Sequence, residues 1–226
     1  MEYKLVVCDM DGTLLTSSHK ISEYTANIIK QIENNGVKFI IATGRPYLDA
    51  RYYRDSLKLK SFLITSNGAR AHNEENKPIV IENIQKDLVK KLLSYNVGTD
   101  IHRNIYLDDK WIIEYEIEGL AEFHHESGYS FNIDNLDKYK NEEAAKVFFL
   151  GKDKDIENLE KNMKKNFQND LSITISSPFC LEFMKKGVNK AETLKKVLKI
   201  LNIKPEEVIA FGDSMNDYEM LSLVGK

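Results

Sequence analysis

The sequence predicts a doubly wound α/β domain, built on a parallel sheet, into which a separate α+β domain is inserted. Three observations carry that prediction. Short apolar runs alternate with helical patterns at the start of the chain, the pattern then changes to a hairpin and paired strands, and the alternation returns at the end. At 226 residues the chain is long enough for one large domain or two modest ones.

The first run, Leu5-Val6-Val7-Cys8, is apolar on both faces, as a buried parallel strand requires. Ser22 then caps a helix in which Ile28, Ile29 and Ile32 share a face, and Gly36 ends it. Residues 37–42 form a second strand, and Pro46 suits the first turn of the next helix. A third strand, 62–65, runs into Ser66-Asn67-Gly68, which completes a βαβαβ series. From Glu82 to Gln85 the chain moves into a helix with Leu88, Leu92 and Leu93 on one side. Tyr106 and Trp111 flank a turn at Asp108-Asp109-Lys110, and Ile112 and Tyr115 continue the second arm. A strand at 147–150, a helix at 155–167 and strands at 171–176 and 180–184 follow, with the aromatics read as core. Leu194, Val197, Leu198 and Leu201 then line a helix, Val208-Ile209-Ala210-Phe211 is a strand, and a short helix comes last. The expected boundaries are 1–83 and 185–226 for the first domain and 84–184 for the second.

Composition excludes several classes. A 42% hydrophobic, 30% charged chain is ordinary for a soluble globular protein. The net charge of −3, with lysine far in excess of arginine and no basic cluster among aromatics, leaves no footprint for nucleic acid. No apolar run approaches a membrane span, and Asp9 and Asp11 interrupt what would otherwise be a signal peptide. A soluble, cytoplasmic protein is expected. Two cysteines, Cys8 and Cys180, make neither a disulfide framework nor a zinc site, and Cys8 reads as a small buried residue. The pair His124-His125 lacks ligand spacing, and neighbours on a strand point to opposite faces, so both read as surface or cap residues.

Chemistry concentrates at strand ends. Asp9-Met10-Asp11-Gly12-Thr13 follows the first strand, and two carboxylates there are costly unless a cation neutralises them. An EF-hand would need glycine where Leu14 stands and glutamate where Lys20 stands, and a helix rather than a strand before it. A plain turn is the other reading, because Asp and Gly are common turn formers. Thr43-Gly44 leaves the second strand for a helix, a natural phosphate cradle. Lys190 opens a later helix, and Gly212-Asp213-Ser214-Met215-Asn216-Asp217 ends the last strand. Together these supply what phosphoryl transfer needs: a nucleophile, a proton donor, cation ligands and donors for phosphate oxygens. No G-x-x-x-x-G-K-[ST] string occurs, so an ordinary P-loop is not supported.

The motifs DMDGT, the Thr of ATGR, the Lys of GVNKAETL and GDSMND, in that order along the whole chain, resemble those of the haloacid dehalogenase superfamily of phosphatases. The insertion between Thr43 and Lys190 is similar to the class IIB cap of the Cof-like subfamily, whose hydrolases act on phosphorylated sugars and related metabolites. The resemblance implies Asp9 as nucleophile, forming an aspartyl-phosphate, and Asp11 as the acid that protonates the leaving oxygen and then activates water. It implies Mg²⁺ held by Asp9, Asp213 and the backbone carbonyl of Asp11, with waters completing the shell. Thr43, Gly44, Lys190 and Asn216 would bind the phosphate, and Asp217 would orient Lys190 or a metal-bound water. Because Asp11 stands where the transporting ATPases of the superfamily carry threonine, the phosphoenzyme should turn over rather than accumulate.

Ala191 replaces a common glycine, a small departure, and the resemblance leads us to expect a further strand and helices beyond Lys226, without which the sheet has an exposed edge. A phosphomutase of the phosphomannomutase type is the first rival. It needs several arginines in the cap for a bisphosphate, whereas Arg103 stands alone between Asn83 and Met184. A non-catalytic metabolite-binding relict is the second, but such relicts lose Asp9 or Asp11. The expected partner is a small phosphorylated metabolite, and Asn67, Arg45 and the residues near Phe179 are candidates for choosing it.

Overall fold

The apolar runs of the sequence become strands flanked by amphipathic helices, in the order expected for a doubly wound domain with an insertion. The structure, a computed structural model, describes residues 3–108 and 110–226, apart from the side chains of Glu122 and Phe123. The first part holds β1 (Leu5–Cys8), α1 (Glu23–Asn34), β2 (Lys38–Ala42), α2 (Tyr47–Ser56), β3 (Leu63–Thr65), β4 (Arg70–His72) and β5 (Pro78–Ile81). The middle holds α3 (Lys86–Leu93), β6 (His102–Tyr106), β7 (Trp111–Ile113), β8 (Phe131–Ile133), β9 (Lys146–Leu150), α4 (Asp153–Phe167), β10 (Leu171–Ser177) and β11 (Cys180–Lys185). Then come α5 (Lys190–Leu201), β12 (Val208–Phe211) and α6 (Tyr218–Leu223). Two compact units result: Met1–Ile81, Glu126–Tyr129 and Asn189–Lys226 in one, Glu82–His125 and Ser130–Val188 in the other.

The first unit is built on a six-stranded sheet in the order β12-β1-β2-β3-β4-β5. Pairing is parallel from β12 to β3 and antiparallel through β4 and β5. Alternation along the strands explains why they are apolar throughout. Leu5, Val7, Ile40 and Ile64 pack with Leu194, Val197 and Leu198 of α5 on one face. Val6, Cys8, Phe39 and Ile41 pack with Ile29, Ala50 and Tyr53 of α1 and α2 on the other. Ser22 caps α1, its hydroxyl accepting from the Thr25 amide at 3.0 Å. Beyond α1, Gly36 takes a φ of 80°, a conformation that suits glycine, as the chain reverses.

The second unit has the sheet order β10-β11-β9-β6-β7-β8, antiparallel except for β7 with β8. Helices α3 and α4 cover one face, with Leu92, Leu93, Met163 and Phe167 against Ile105, Val147, Phe149 and Phe183. Among the described residues no helix is long and apolar enough to cross a membrane.

The structure differs from the sequence reading in several places. The β4–β5 hairpin was not expected: its strands are short, one holds Arg70 and His72, and the other opens on a proline. Pro46 is the capping residue before α2 rather than a member of its first turn. Strand β7 ends at Ile113, so Tyr115 lies beyond it, and Asp109 of the expected turn lies outside the described residues. His124-His125 sits in a short helical turn, not a strand. His124 is buried with its Nε2 3.3 Å from the Tyr106 hydroxyl, and of the two histidines only His125 is exposed.

If the α1 cap matters as its geometry indicates, Ser22→Ala should lower unfolding free energy by about 1 kcal/mol in urea titration.

Candidate active site

In an open α/β sheet the carboxyl ends of the parallel strands converge on one edge, and ligands bind there. Asp9 follows β1, Thr43 follows β2, Asp213 follows β12 with Gly212 between, and Lys190 opens α5. All belong to the first unit.

After Asp9 the chain turns tightly, with the Leu14 amide donating to the Asp9 carbonyl at 3.2 Å and the Leu15 amide to the Met10 carbonyl at 2.9 Å. The turn needs Gly12 at φ 79°. A Cβ there would lie 2.8 Å from Asp213 Cγ and nearer still to its Oδ2, so glycine lets the two acidic loops meet. Thr13 then donates to Asp213 Oδ1 at 2.8 Å, and the Ser214 hydroxyl to Oδ2 at 3.2 Å.

Lys190 is fully buried and bridges the carboxylates, donating from Nζ to Asp9 Oδ1 and to Asp217 Oδ1, each at 2.5 Å. Asp217 Oδ2 accepts the backbone amides of Asp213 and Ser214, both at 3.2 Å. Both oxygens of Asp217 are therefore engaged in holding the loop and the ammonium. Burial alone would pull the Lys190 ammonium down, but the carboxylates of Asp9 and Asp217 hold it above the usual lysine value. Burial pushes the Asp9 carboxyl up to about 7, with Lys190 pulling the other way and Asp217 adding repulsion. The Cys8 thiol is pushed up to about 12, first by burial and then by Asp9, so it stays protonated and is no nucleophile.

Side-chain oxygens of Asp9, Asp213 and Asp217 lie within 4.8 Å of one another. This is an all-oxygen, strongly anionic donor set with one ammonium beside it, which fits a hard divalent cation rather than a soft one. The expected set takes Asp11 through its backbone carbonyl, beside the carboxylates of Asp9 and Asp213, and Asp217 is a further carboxylate close to those two. The Asp11 carboxylate turns to Arg45, whose Nε and NH2 donate to its Oδ2 and Oδ1 at 2.8 and 2.6 Å.

Thr43 is buried, its Oγ1 accepting the Arg45 amide at 3.1 Å. Gly44 is packed against Asn67, whose Oδ1 would be 3.0 Å from a Cβ placed there. Asn216 donates from Nδ2 to Asn67 Oδ1 at 3.1 Å, and its own Oδ1 is buried with no protein partner. Asn67 holds a left-handed φ of 53°. The Arg45–Asp11 pair escaped the sequence reading of site chemistry, although Arg45 lies one residue after Gly44. Phe179 belongs to the second unit, in the turn between β10 and β11.

A carboxylate pair, a buried lysine and a second acidic loop at the ends of parallel strands define a hydrolase of the haloacid dehalogenase type. The chain belongs to that family: a sequence model described as haloacid dehalogenase-like hydrolase matches residues 6–226. Relatives that match nearly the whole chain are named phosphatases. A putative phosphatase of Haemophilus influenzae is 34% identical over 229 residues, covering 100% of this chain and 84% of that protein. An HMP-PP phosphatase of Serratia proteamaculans is 32% identical over 224 residues, covering 99% and 82%. Among solved structures, a haloacid dehalogenase-like hydrolase from B. subtilis superposes with a TM-score of 0.86 at 23% identity, covering 99% of this chain and 87% of that one. A sugar phosphatase of subclass IIB gives 0.84 at 22% identity, covering 98% and 85%, a likeness of fold.

Gly12→Ala should lower stability by about 1–3 kcal/mol through backbone strain. With Asp213 displaced, it should also weaken divalent-cation binding at the cluster, read as a smaller shift in melting temperature on adding the cation than the parent protein shows.

Proposed function

We propose that this protein is a Mg²⁺-dependent phosphomonoester hydrolase that works through an aspartyl-phosphate on Asp9 and acts on a small phosphorylated metabolite such as a sugar phosphate. The observation that carries the reading is the buried Asp9–Lys190–Asp217 bridge, with Asp213 beside it and Asp11 two residues on.

A buried carboxylate facing solvent only narrowly, against a fixed ammonium, is placed to attack phosphorus in line with the leaving oxygen. The Asp9 oxygen forms the new bond to phosphorus as the bond to the leaving oxygen breaks, and the protonated Asp11 gives that oxygen its proton. Asp11 then takes a proton from water, the water oxygen attacks phosphorus, and the Asp9–phosphorus bond breaks to release inorganic phosphate. Lys190, the Thr43 hydroxyl, the Gly44 amide and the Asn216 amide are the donors for the phosphate oxygens, and Lys190 holds Asp9 in place between turnovers. Asp217 orients Lys190, the role its two engaged oxygens support. Bound Mg²⁺, held by Asp9, Asp213 and the Asp11 carbonyl, would offset the negative charge that the phosphate and Asp9 bring together.

The phosphomutase alternative is not favoured. Arg103 is already committed, donating to Glu114 at 2.8 Å and to the Leu93 carbonyl at 2.6 Å within its own unit.

The test is release of p-nitrophenol from p-nitrophenyl phosphate. Hydrolysis should appear with Mg²⁺, disappear with chelator and return on adding the ion. Asp9→Asn, folded by circular dichroism, should lose at least about 1,000-fold in kcat. An Asp9→Asn protein with parental turnover would refute the nucleophile.

A further inference from the structure

We infer that Arg45 is a positioning residue that holds Asp11 in its working orientation, and that buried Asp49 in turn fixes Arg45. The inference rests on the role proposed above for Asp11.

The Arg45 guanidinium is almost wholly buried, 1% exposed, just before α2. It forms a two-pronged contact with Asp11, Nε to Oδ2 at 2.8 Å and NH2 to Oδ1 at 2.6 Å. Its remaining corner, NH1, donates to Asp49 Oδ2 at 2.9 Å, and the Asp49 side chain is fully buried in the first turn of α2. The other oxygen of Asp49 accepts the Ser127 hydroxyl, from the segment Glu126–Tyr129 that belongs to the first unit. His19 Nδ1 lies 3.3 Å from NH2, and the Tyr53 ring is 5.5 Å from the guanidinium carbon. The guanidinium thus has almost no freedom to turn.

A structural duty alone would be met by the Arg45–Asp49 pair, which already neutralises a buried charge. The planar fork is instead spent on a different loop, on a carboxylate that remains 33% exposed. Each Asp11 oxygen accepts one guanidinium hydrogen and keeps a lone pair on its open side. A side chain at a tight turn would otherwise sample several rotamers, and the fork selects one of them. The same orientation serves both of Asp11's proton transfers, so losing it should slow chemistry far more than binding.

The experiment compares the parent protein with Arg45→Gln, Arg45→Lys and Asp11→Asn, all with Mg²⁺. On p-nitrophenyl phosphate, Arg45→Gln should lower kcat about 10- to 100-fold, less than the roughly 10²- to 10⁴-fold that a whole acid–base group contributes, with KM changed less than about threefold. With 2,4-dinitrophenyl phosphate the leaving group needs no proton, so only the water step should suffer. Arg45→Gln should then show a burst of dinitrophenolate near one per active site, larger than the parent's, and a phosphoryl group retained on the protein by intact mass. Should Arg45→Gln fail to fold, Arg45→Lys keeps the charge without the fork and should show the same pattern in weaker form. Parental kinetics in a folded Arg45 variant, or a loss shared by KM with no enlarged burst, would overturn the inference. Asp11→Asn separates the two layers. If it is inactive while the Arg45 variants behave as the parent, only the inference about Arg45 fails. If it turns over normally, the role of Asp11 fails with it.

Discussion

The structure of the first unit depends on one buried ammonium. Two buried carboxylates at the ends of β1 and β12, Asp9 and Asp217, would repel each other in a poorly hydrated place, with the exposed Asp213 close by, and Lys190 stands between the buried two. Its position follows from α5: Asn189 caps the helix through the Glu192 amide, so the next residue is delivered at the sheet's edge. The helix itself is held by Leu194, Val197 and Leu198 against β1, β2 and β3. Apolar packing below thus sets an electrostatic arrangement above. The desolvation that makes a lone carboxylate costly is what gives the Asp9–Lys190–Asp217 bridge its strength.

Around that bridge two kinds of close approach are needed. Loops must come near enough for Thr13 and Asp213 to bond, which the absent side chain of Gly12 permits. The loop after β12 must also be rigid, and Asp217 supplies this by accepting two successive backbone amides. A carboxylate with both oxygens occupied is poorly suited to leave its post. That favours a supporting part for Asp217, whose partners are a buried ammonium and two backbone amides, whereas the partners of Asp213 are two hydroxyls that can rotate away.

Much of this was legible in the sequence. Buried parallel strands announce themselves because β1 and, after Lys38, β2 are covered on both faces and so are apolar without alternation. Helix α1 was legible from Ser22 and its isoleucines, and the strand-end acids from their place after those runs. The β4–β5 hairpin was not: a strand of three residues carrying Arg70 and His72 has no periodicity to detect. Nor could spacing show the Arg45–Asp11 fork, since the two residues lie 34 apart and meet only when β1 and β2 pair. His124 escaped for a similar reason, because its burial against Tyr106 and Trp111 depends on how a short helical turn lies on the second sheet.

The place of β1 within its sheet has a consequence for how the chain is made. One neighbour, β2, is encoded close behind it, but the other, β12, begins at Val208, and Lys190 follows Asp9 by 181 residues. During synthesis the outer edge of β1 therefore stays unpaired, and Asp9 stays without its ammonium, while the whole inserted unit is being translated. That unit holds its own core and its own sheet, and can bury its apolar surface in the interval. The first unit is left as a half-sheet waiting for β12, and until that strand arrives the open edge of β1 is free to pair wrongly.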